Sequence, residues 1–235
     1  MSLTLAVPSK GRLEELTRAF FADAGVAVTR PGGARSYAGV LEGHDDVIVR
    51  FYPPSEIARE LIRGSIDLGV TGTDLIHEEA ENGIDRVVLA KPLGFGEAEV
   101  VVAVPDSWID VTQMSDLADV AADFRHRHGR WLRVATKYAN LTRKHFADFD
   151  IAGYRIVESA GATESAPASG SADFIVDITT TGNTLKANAL RVLEDGLILQ
   201  SSAHLIVSKA AAWTPERRTE LSALLATLGS SPVSV

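Results

Sequence analysis

The 235-residue chain contains no cysteine. That excludes a disulfide framework, a thiolate metal site and a cysteine nucleophile. Positive charge is also short: 23 Lys and Arg stand against 31 Asp and Glu, a formal charge of −8. A chain this acidic is poorly suited to general nucleic-acid binding, and any polyanion it takes must be held by local cations and backbone amides against the chain's own field. No apolar run approaches the ~18 residues of a membrane span. The first residues, Met1 to Pro8, lack both a basic n-region and a long apolar stretch, so no secretory signal is read there and a cytoplasmic location is expected. With 46% apolar and 23% charged residues, the composition is that of a globular domain rather than a disordered, fibrous or coiled-coil chain. A chain of this length can bury about 70% of its extended surface, enough for one large domain or two small ones.

The first part alternates strand and helix. Leu3 to Val7 is a short apolar run ended by Pro8 and Gly11, after which Leu13, Leu16, Phe20 and Ala24 recur at helical spacing up to Gly25. Val47 to Phe51 predicts a second strand, and Ser55 a cap for a helix carrying Ile57, Leu61 and Ile62 that stops at Gly64. Ile66, Leu68 and Val70 lead as a strand into Thr71-Gly72-Thr73-Asp74; a helix from Asp74 to about Gly83 and a strand at Val87 to Leu89 follow. This alternation predicts βα units on a largely parallel sheet.

Gly94-Phe95-Gly96 breaks the pattern, with Glu97 and Glu99 read as strand-edge charges beside it, and a strand over Glu99 to Val104 opens a second series. Strands are expected at Arg133 to Thr136, Arg155 to Val157 and Phe174 to Ile178, with helices from about Asn140, near Glu164 to Ser169 and over Leu185 to Val192. Leu197 to Val207 reads as a strand pair. Thr214 caps a last helix with Pro215 at its first position, and the tail from Gly229 reads as loose. The expected fold is α/β in two lobes: residues 1–95 with about 190–235, and 96–189, with a cleft between them of the kind that binds small ligands. His126 and His128 lack a carboxylate partner at metal-ligand spacing and read as a basic helix end; Trp108, Trp131 and Trp213 read as core or interface residues.

The segment richest in chemistry is Asp177-Ile178-Thr179-Thr180-Thr181-Gly182-Asn183-Thr184-Leu185, where an apolar strand runs into a polar turn and a helix begins at once. A helix N-terminus presents free N–H groups and positive partial charge, which suits a phosphate. Gly182 lets backbone approach a ligand, the threonine hydroxyls add donors, and Asp177 at the strand's end can accept hydrogen bonds from ribose hydroxyls. The same residues would also make an ordinary strand–helix turn with threonine as its cap.

The longer stretch from Glu164 through Gly170 and Asp177 to Thr181-Gly182-Asn183-Thr184-Leu185 resembles the signature of the ATP phosphoribosyltransferase family. Pro8-Ser9-Lys10-Gly11-Arg12-Leu13, Asp67 to Asp74 and Arg133 to Asn140 are similar to three further segments of that family. Two positions depart from its pattern: Ala139 stands where proline is frequent, and Pro53-Pro54-Ser55-Glu56 replaces an Asp-Ile-Pro that follows the arginine aligned with Arg50. No aspartate is carried over there.

The resemblance implies a fold of two lobes like the type II periplasmic binding proteins. It also implies the first step of histidine biosynthesis: transfer of the phosphoribosyl group of 5-phosphoribosyl 1-diphosphate to N1 of ATP, with Mg2+ carried by the substrate phosphates. A last helix ending near Leu228 resembles the family's short form, which lacks a C-terminal regulatory domain and works with a regulatory subunit related to histidyl-tRNA synthetase. A homodimer within a hetero-oligomer is therefore expected. Carried over by position, the backbone and hydroxyls of Thr179, Thr180, Thr181, Gly182, Asn183 and Thr184 hold the 5-phosphate, and Asp177 and Glu164 engage the ribose. Lys10, Gly11 and Arg12, with Arg50, face the pyrophosphate or the ATP phosphates, while Asp74 and Tyr138 line the nucleotide region. Such a reaction needs alignment and charge neutralisation rather than a nucleophile or a covalent intermediate.

Two rivals fit parts of the pattern. A non-catalytic two-lobed binding module would share the fold, although the Thr-Gly-Asn-Thr loop is more elaborate than an amino-acid site requires. A purine or pyrimidine phosphoribosyltransferase would bring paired acids before its loop, whereas here Val176 precedes Asp177.

Overall fold

The chain passes twice between two compact units, Met1–Gly96 with Ser202–Val235, and Glu97–Ser201. The computed structural model describes residues 2–33, 36–159 and 161–235.

In the first unit, β1 (Leu3–Pro8) leads to α1 (Gly11–Asp23), followed by β2 (Val28–Thr29), β3 (Ala38–Leu41) and β4 (Val47–Tyr52). Next come α2 (Pro54–Arg63), β5 (Leu68–Gly72), α3 (Thr73–Glu79), a 3-10 turn at Gly83–Arg86 and β6 (Val87–Pro92). The second unit holds β7 (Ala98–Pro105), α4 (Met114–His128), β8 (Leu132–Thr136), α5 (Ala139–Asp148) and β9 (Tyr154–Glu158). It continues with a 3-10 turn at Thr163–Ser165, β10 (Phe174–Thr179), α6 (Asn183–Ala187) and β11 (Leu190–Ser201). The chain then returns to the first unit as β12 (Ala203–Ser208) and α7 (Pro215–Thr227).

The first sheet has the order β2-β3-β4-β1-β5-β12-β6, the second β11-β7-β10-β8-β9. Both are mixed rather than largely parallel. Each contains three neighbouring parallel strands, β4-β1-β5 and β10-β8-β9, joined in chain order by connections that cross over. The antiparallel strands are the short hairpin partners β2 and β3 and the strands that carry the chain between units.

Leu5, Ala6 and Val7 of β1, Leu68 and Val70 of β5, and Leu205, Ile206 and Val207 of β12 are completely buried on both faces of the first sheet. Continuous apolar runs of this kind are what a strand covered on both sides requires. One face packs on α1 and α7, whose Phe21, Leu221, Leu224 and Leu225 are buried, and the other on α2 through Ile57, Ala58 and Leu61. Beneath α7 lies a buried ion pair. Asp67, fully inaccessible, accepts the Thr4 backbone N–H at 2.7 Å and pairs with Arg217.

Several local expectations are corrected. Pro53, not Ser55, precedes α2, and Pro54 takes the first position, where its missing N–H costs nothing. The helix expected over Leu185 to Val192 ends at Ala187, because Asn188 and the left-handed Ala189 (φ 53°) turn the chain into β11. Pairing of β11 along β7 keeps residues 190–201 in the second unit, so the return expected at about 190 comes at 202. The tail is tied down: Ser230 donates to the Ala90 carbonyl at 2.8 Å, and Val233 and Val235 pack on the first core.

Candidate phosphoribosyl and nucleotide site

In the second unit, Phe174, Ile175 and Val176 of β10 are fully buried, and burial falls off along Asp177, Ile178 and Thr179 as the strand emerges. The bend that follows is open: Thr180, Thr181, Asn183 and Thr184 are exposed, and Leu185 alone turns back into the core. Gly182 sits at φ 70° as the residue before α6, with no atom within 4 Å of where a Cβ would stand. A left-handed residue is needed there, and only glycine adopts that conformation without strain. Thr179 Oγ1 accepts the Gly182 N–H at 2.9 Å and Thr181 Oγ1 approaches the Asn183 N–H at 3.5 Å, so the hydroxyls shape the bend from within. The open bend on a buried strand is a rigid mounting for exposed polar groups.

Asp177 is half-buried, and its Oδ1 accepts the following Ile178 N–H at 2.8 Å, which fixes the carboxylate. Burial pushes its carboxyl above the ordinary range; the Ile178 N–H, Lys137 and the Thr163 hydroxyl oppose this, and Glu164 adds to it by like-charge repulsion. Glu164 is thereby brought to Asp177, although thirteen positions apart in the chain, by the 3-10 turn at Thr163–Ser165. Thr163 is buried and bonds Ser159 Oγ at 3.0 Å, tying that turn to the end of β9. Asp173, just ahead of β10, accepts two 2.7 Å bonds from Arg130 and one of 2.8 Å from the Arg133 N–H. This clamp joins the starts of β8 and β10.

In the first unit, parallel β4, β1 and β5 bring three expected segments to one end of the sheet. Lys10, Gly11 and Arg12 follow β1 and are exposed, with Gly11 left-handed at φ 77°. Arg50, half-buried on β4, stands beside Ala6 of β1. Among the described residues, Lys10, Arg12 and Arg50 form no ion pair. Asp74 opens α3 after β5 and is 5% exposed. Arg30, which the sequence did not single out, lies 3.7 Å over the Phe51 ring and donates to the Ser9 carbonyl at 3.4 Å, bracing the β1–α1 turn. In both units the candidate residues thus gather at the carboxyl ends of parallel strands, where open α/β sheets bind ligands.

Tyr138 is fully buried at the start of α5, where its N–H bonds Thr136 Oγ1 at 2.8 Å. A shallow groove of about 530 Å3 beside β9, lined by Arg143, Tyr154, Arg155 and Ile156, contains none of the expected site residues. Among the described residues, no three His, Asp or Glu side chains form a metal-binding group, and no helix is long and apolar enough to cross a membrane.

Fold and site together define an α/β chain of the type II periplasmic-binding-protein kind that presents an open polar bend from its second unit. The fold is shared with the substrate-binding protein of an amino acid ABC transporter, at 11% identity and a TM-score of 0.52 over 97% of this chain and 92% of that one. A family model described as HisG, ATP phosphoribosyltransferase, matches residues 53–230. An ATP phosphoribosyltransferase of Afipia carboxidovorans is 58% identical over 91% of this chain and 66% of its own length. One of Brucella suis is 58% identical over 95% of this chain and 96% of its own. The chain therefore spans about two thirds of the length of the first relative and nearly all of the second. The ATP phosphoribosyl transferase (HisG:HisZ) complex from Thermotoga maritima contains a chain 28% identical, with a TM-score of 0.71, covering 97% of this chain and 96% of that one. This chain belongs to the ATP phosphoribosyltransferase family, whose members generally need a divalent metal ion.

Proposed function

We propose that the chain transfers the 5-phosphoribosyl group of 5-phosphoribosyl 1-diphosphate to N1 of ATP, the first step of histidine biosynthesis. The observation that carries this reading is the open Thr179–Thr184 bend, mounted on a buried strand beside Asp177 and Glu164, in a chain of this family. Hydroxyls and backbone N–H groups of the bend receive the 5-phosphate, with Gly182 holding the turn in shape. The Asp177 carboxylate, and Glu164 beside it, accept the ribose hydroxyls. Lys10, Arg12 and Arg50 of the first unit are cations for the diphosphate and the ATP phosphates, with Gly11 allowing close approach and Asp74 on the nucleotide side.

In the reaction the N1 lone pair forms a bond to the anomeric carbon as the bond from that carbon to the diphosphate oxygen breaks, and pyrophosphate leaves with the electron pair. Adenine N1 is unprotonated near neutral pH, so no side chain has to activate it. The demands on the protein are orientation and charge neutralisation at the departing diphosphate. A divalent ion, Mg2+ in this reading, would be carried on the substrate phosphates and would supply charge neutralisation at the departing diphosphate. A cytoplasmic location is part of this proposal. Likeness to the Thermotoga complex supports a regulatory subunit of the HisZ kind as partner, within a hetero-oligomer built on homodimers of this chain.

The test is incubation with Mg2+, ATP and 5-phosphoribosyl 1-diphosphate, with and without such a subunit, following the ultraviolet change of N1-substituted adenine. Turnover in either mixture supports the reading. Silence in both overturns it in favour of a binding module.

A further inference from the structure

The bend that receives the phosphate is flanked by two carboxylates, Asp177 and Glu164, close enough to raise one another's energy. Such an arrangement opposes itself: a sugar bearing a phosphate and a diphosphate would approach a local charge of −2 on a chain already at −8. Among the described residues, Lys137 is a cation whose charge reaches Asp177. Strands β8 and β10 run parallel with Val134 beside Phe174 and Ala135 beside Ile175. Two residues beyond that last pair stand Asp177, still on β10, and Lys137, in the bend that follows β8. The backbone at Lys137 is pinned on its far side, where the Tyr138 N–H bonds the buried Thr136 hydroxyl and the Tyr138 carbonyl accepts Thr142 Oγ1 at 2.6 Å. The lysine itself is exposed, its Nζ 5.0 Å from the centre of the Tyr138 ring. That ring gives the ammonium a fixed apolar seat while leaving its charge in reach of the carboxylate.

Resting on the function proposed above, we propose that Lys137 is a positioning residue of the phosphoribosyl site, acting through Asp177. Its ammonium holds Asp177 in the ionised form that accepts ribose hydroxyls, and offsets the repulsion of the Asp177–Glu164 pair toward the incoming phosphates. The surroundings leave this task to Lys137. On β7 the residue opposite Asp177 is the uncharged Val101, and the charge on that strand, Glu99, stands opposite Thr179. From the 3-10 turn come Glu164, which repels, and Thr163, a neutral hydroxyl.

The experiment compares wild type with Lys137→Met and Lys137→Arg. In the ligand-free protein, the Asp177 side-chain carboxyl is titrated by carbon NMR. It is expected to protonate at higher pH in Lys137→Met than in wild type, and to return toward wild type in Lys137→Arg. In the enzyme assay, Lys137→Met raises KM for 5-phosphoribosyl 1-diphosphate about 3- to 10-fold, most strongly on the acid side of the pH profile, as expected for loss of one partly exposed charge partner. The kcat stays within about twofold and arginine restores KM. Coincident carboxyl titrations overturn the proposal, as does a loss confined to kcat. A wild-type protein that does not bind 5-phosphoribosyl 1-diphosphate overturns the function itself, and the two failures are told apart because the carboxyl titration needs no substrate.

Discussion

Asp177→Asn separates what this residue does for the site from what it costs the fold. Asparagine keeps the shape, and its carbonyl oxygen can still accept the Ile178 N–H that Oδ1 takes at 2.8 Å, so the bend stays in place. What is lost is the charge on the second oxygen. A hydrogen bond to a charged group is worth about 1.5–3 kcal/mol, so losing one such bond to a ribose hydroxyl weakens binding of 5-phosphoribosyl 1-diphosphate roughly 10- to 150-fold. Stability moves the other way. Burial raises the Asp177 carboxyl above its unfolded value, which means the folded state favours the protonated form. The stability this group contributes is complete below the unfolded pKa and is lost as pH rises through the folded one. At pH 7 the wild type therefore holds a carboxylate at a cost to its fold, and Asp177→Asn melts at a higher temperature. The advantage disappears near pH 3.5. Calorimetric titration with the Mg2+ complex of the sugar diphosphate, and thermal melts at the two pH values, read both effects. Unchanged affinity, or a variant that melts lower at pH 7, refutes the reasoning.

Arg217→Met strands Asp67 in the first core with the Thr4 N–H as its remaining bond and costs about 3–5 kcal/mol in urea unfolding; adding Asp67→Asn recovers part of this. Gly182→Ala meets no neighbouring atom but forces alanine to φ 70°, a strain of about 1–2 kcal/mol, so Tm falls slightly while phosphoribosyl binding falls further as the bend relaxes. Burial disfavours the ionised Asp173, but the Arg130 side chain and the Arg133 N–H hold its carboxyl below the ordinary value. Its stabilising contribution is therefore present above the unfolded pKa and fades as pH falls through the folded one. Arg130→Met flattens the loss of stability that wild type shows below about pH 4.

Much of the architecture was legible because punctuation and burial coincide in the sequence. Pro8, Gly25, Gly64 and Pro105 stand at or just beyond the ends of elements, and the apolar runs of β1, β5 and β10 are strands buried on both sides. What escaped was weakly marked. β2 is two residues long and β3 contains a glycine, so neither offers a period. α4 was read only at its basic end, although Gln113 and Asp116 form a capping box, with the Gln113 N–H on Asp116 Oδ2 at 2.9 Å, and Gly129 closes the helix in a left-handed turn. The helix expected over Leu185 to Val192 took in the start of β11, where the left-handed Ala189 and the pairing with β7 decide for strand.

For the candidate site, the open Thr179–Thr184 bend with Asp177 before it could be read as a local structure, since strand, polar turn and helix follow without interruption. Glu164 could not be placed against Asp177 from spacing alone, because the 3-10 turn that brings it there depends on the buried Thr163 hydroxyl. Lys137 lay inside a recognised segment but became a neighbour of Asp177 only through the parallel register of β8 and β10. The full burial of Tyr138 was not legible either, because it depends on the packing around the start of α5.

The central claim is that the Thr179–Thr184 bend is where the sugar-borne phosphate is held. Amide NMR of the protein titrated with 5-phosphoribosyl 1-diphosphate and Mg2+ tests it most directly. The account predicts that the largest shifts fall on the N–H groups of Thr180 through Thr184, saturate with the binding isotherm and are lost in Asp177→Ala together with binding. Saturable binding that leaves those amides unmoved would contradict it.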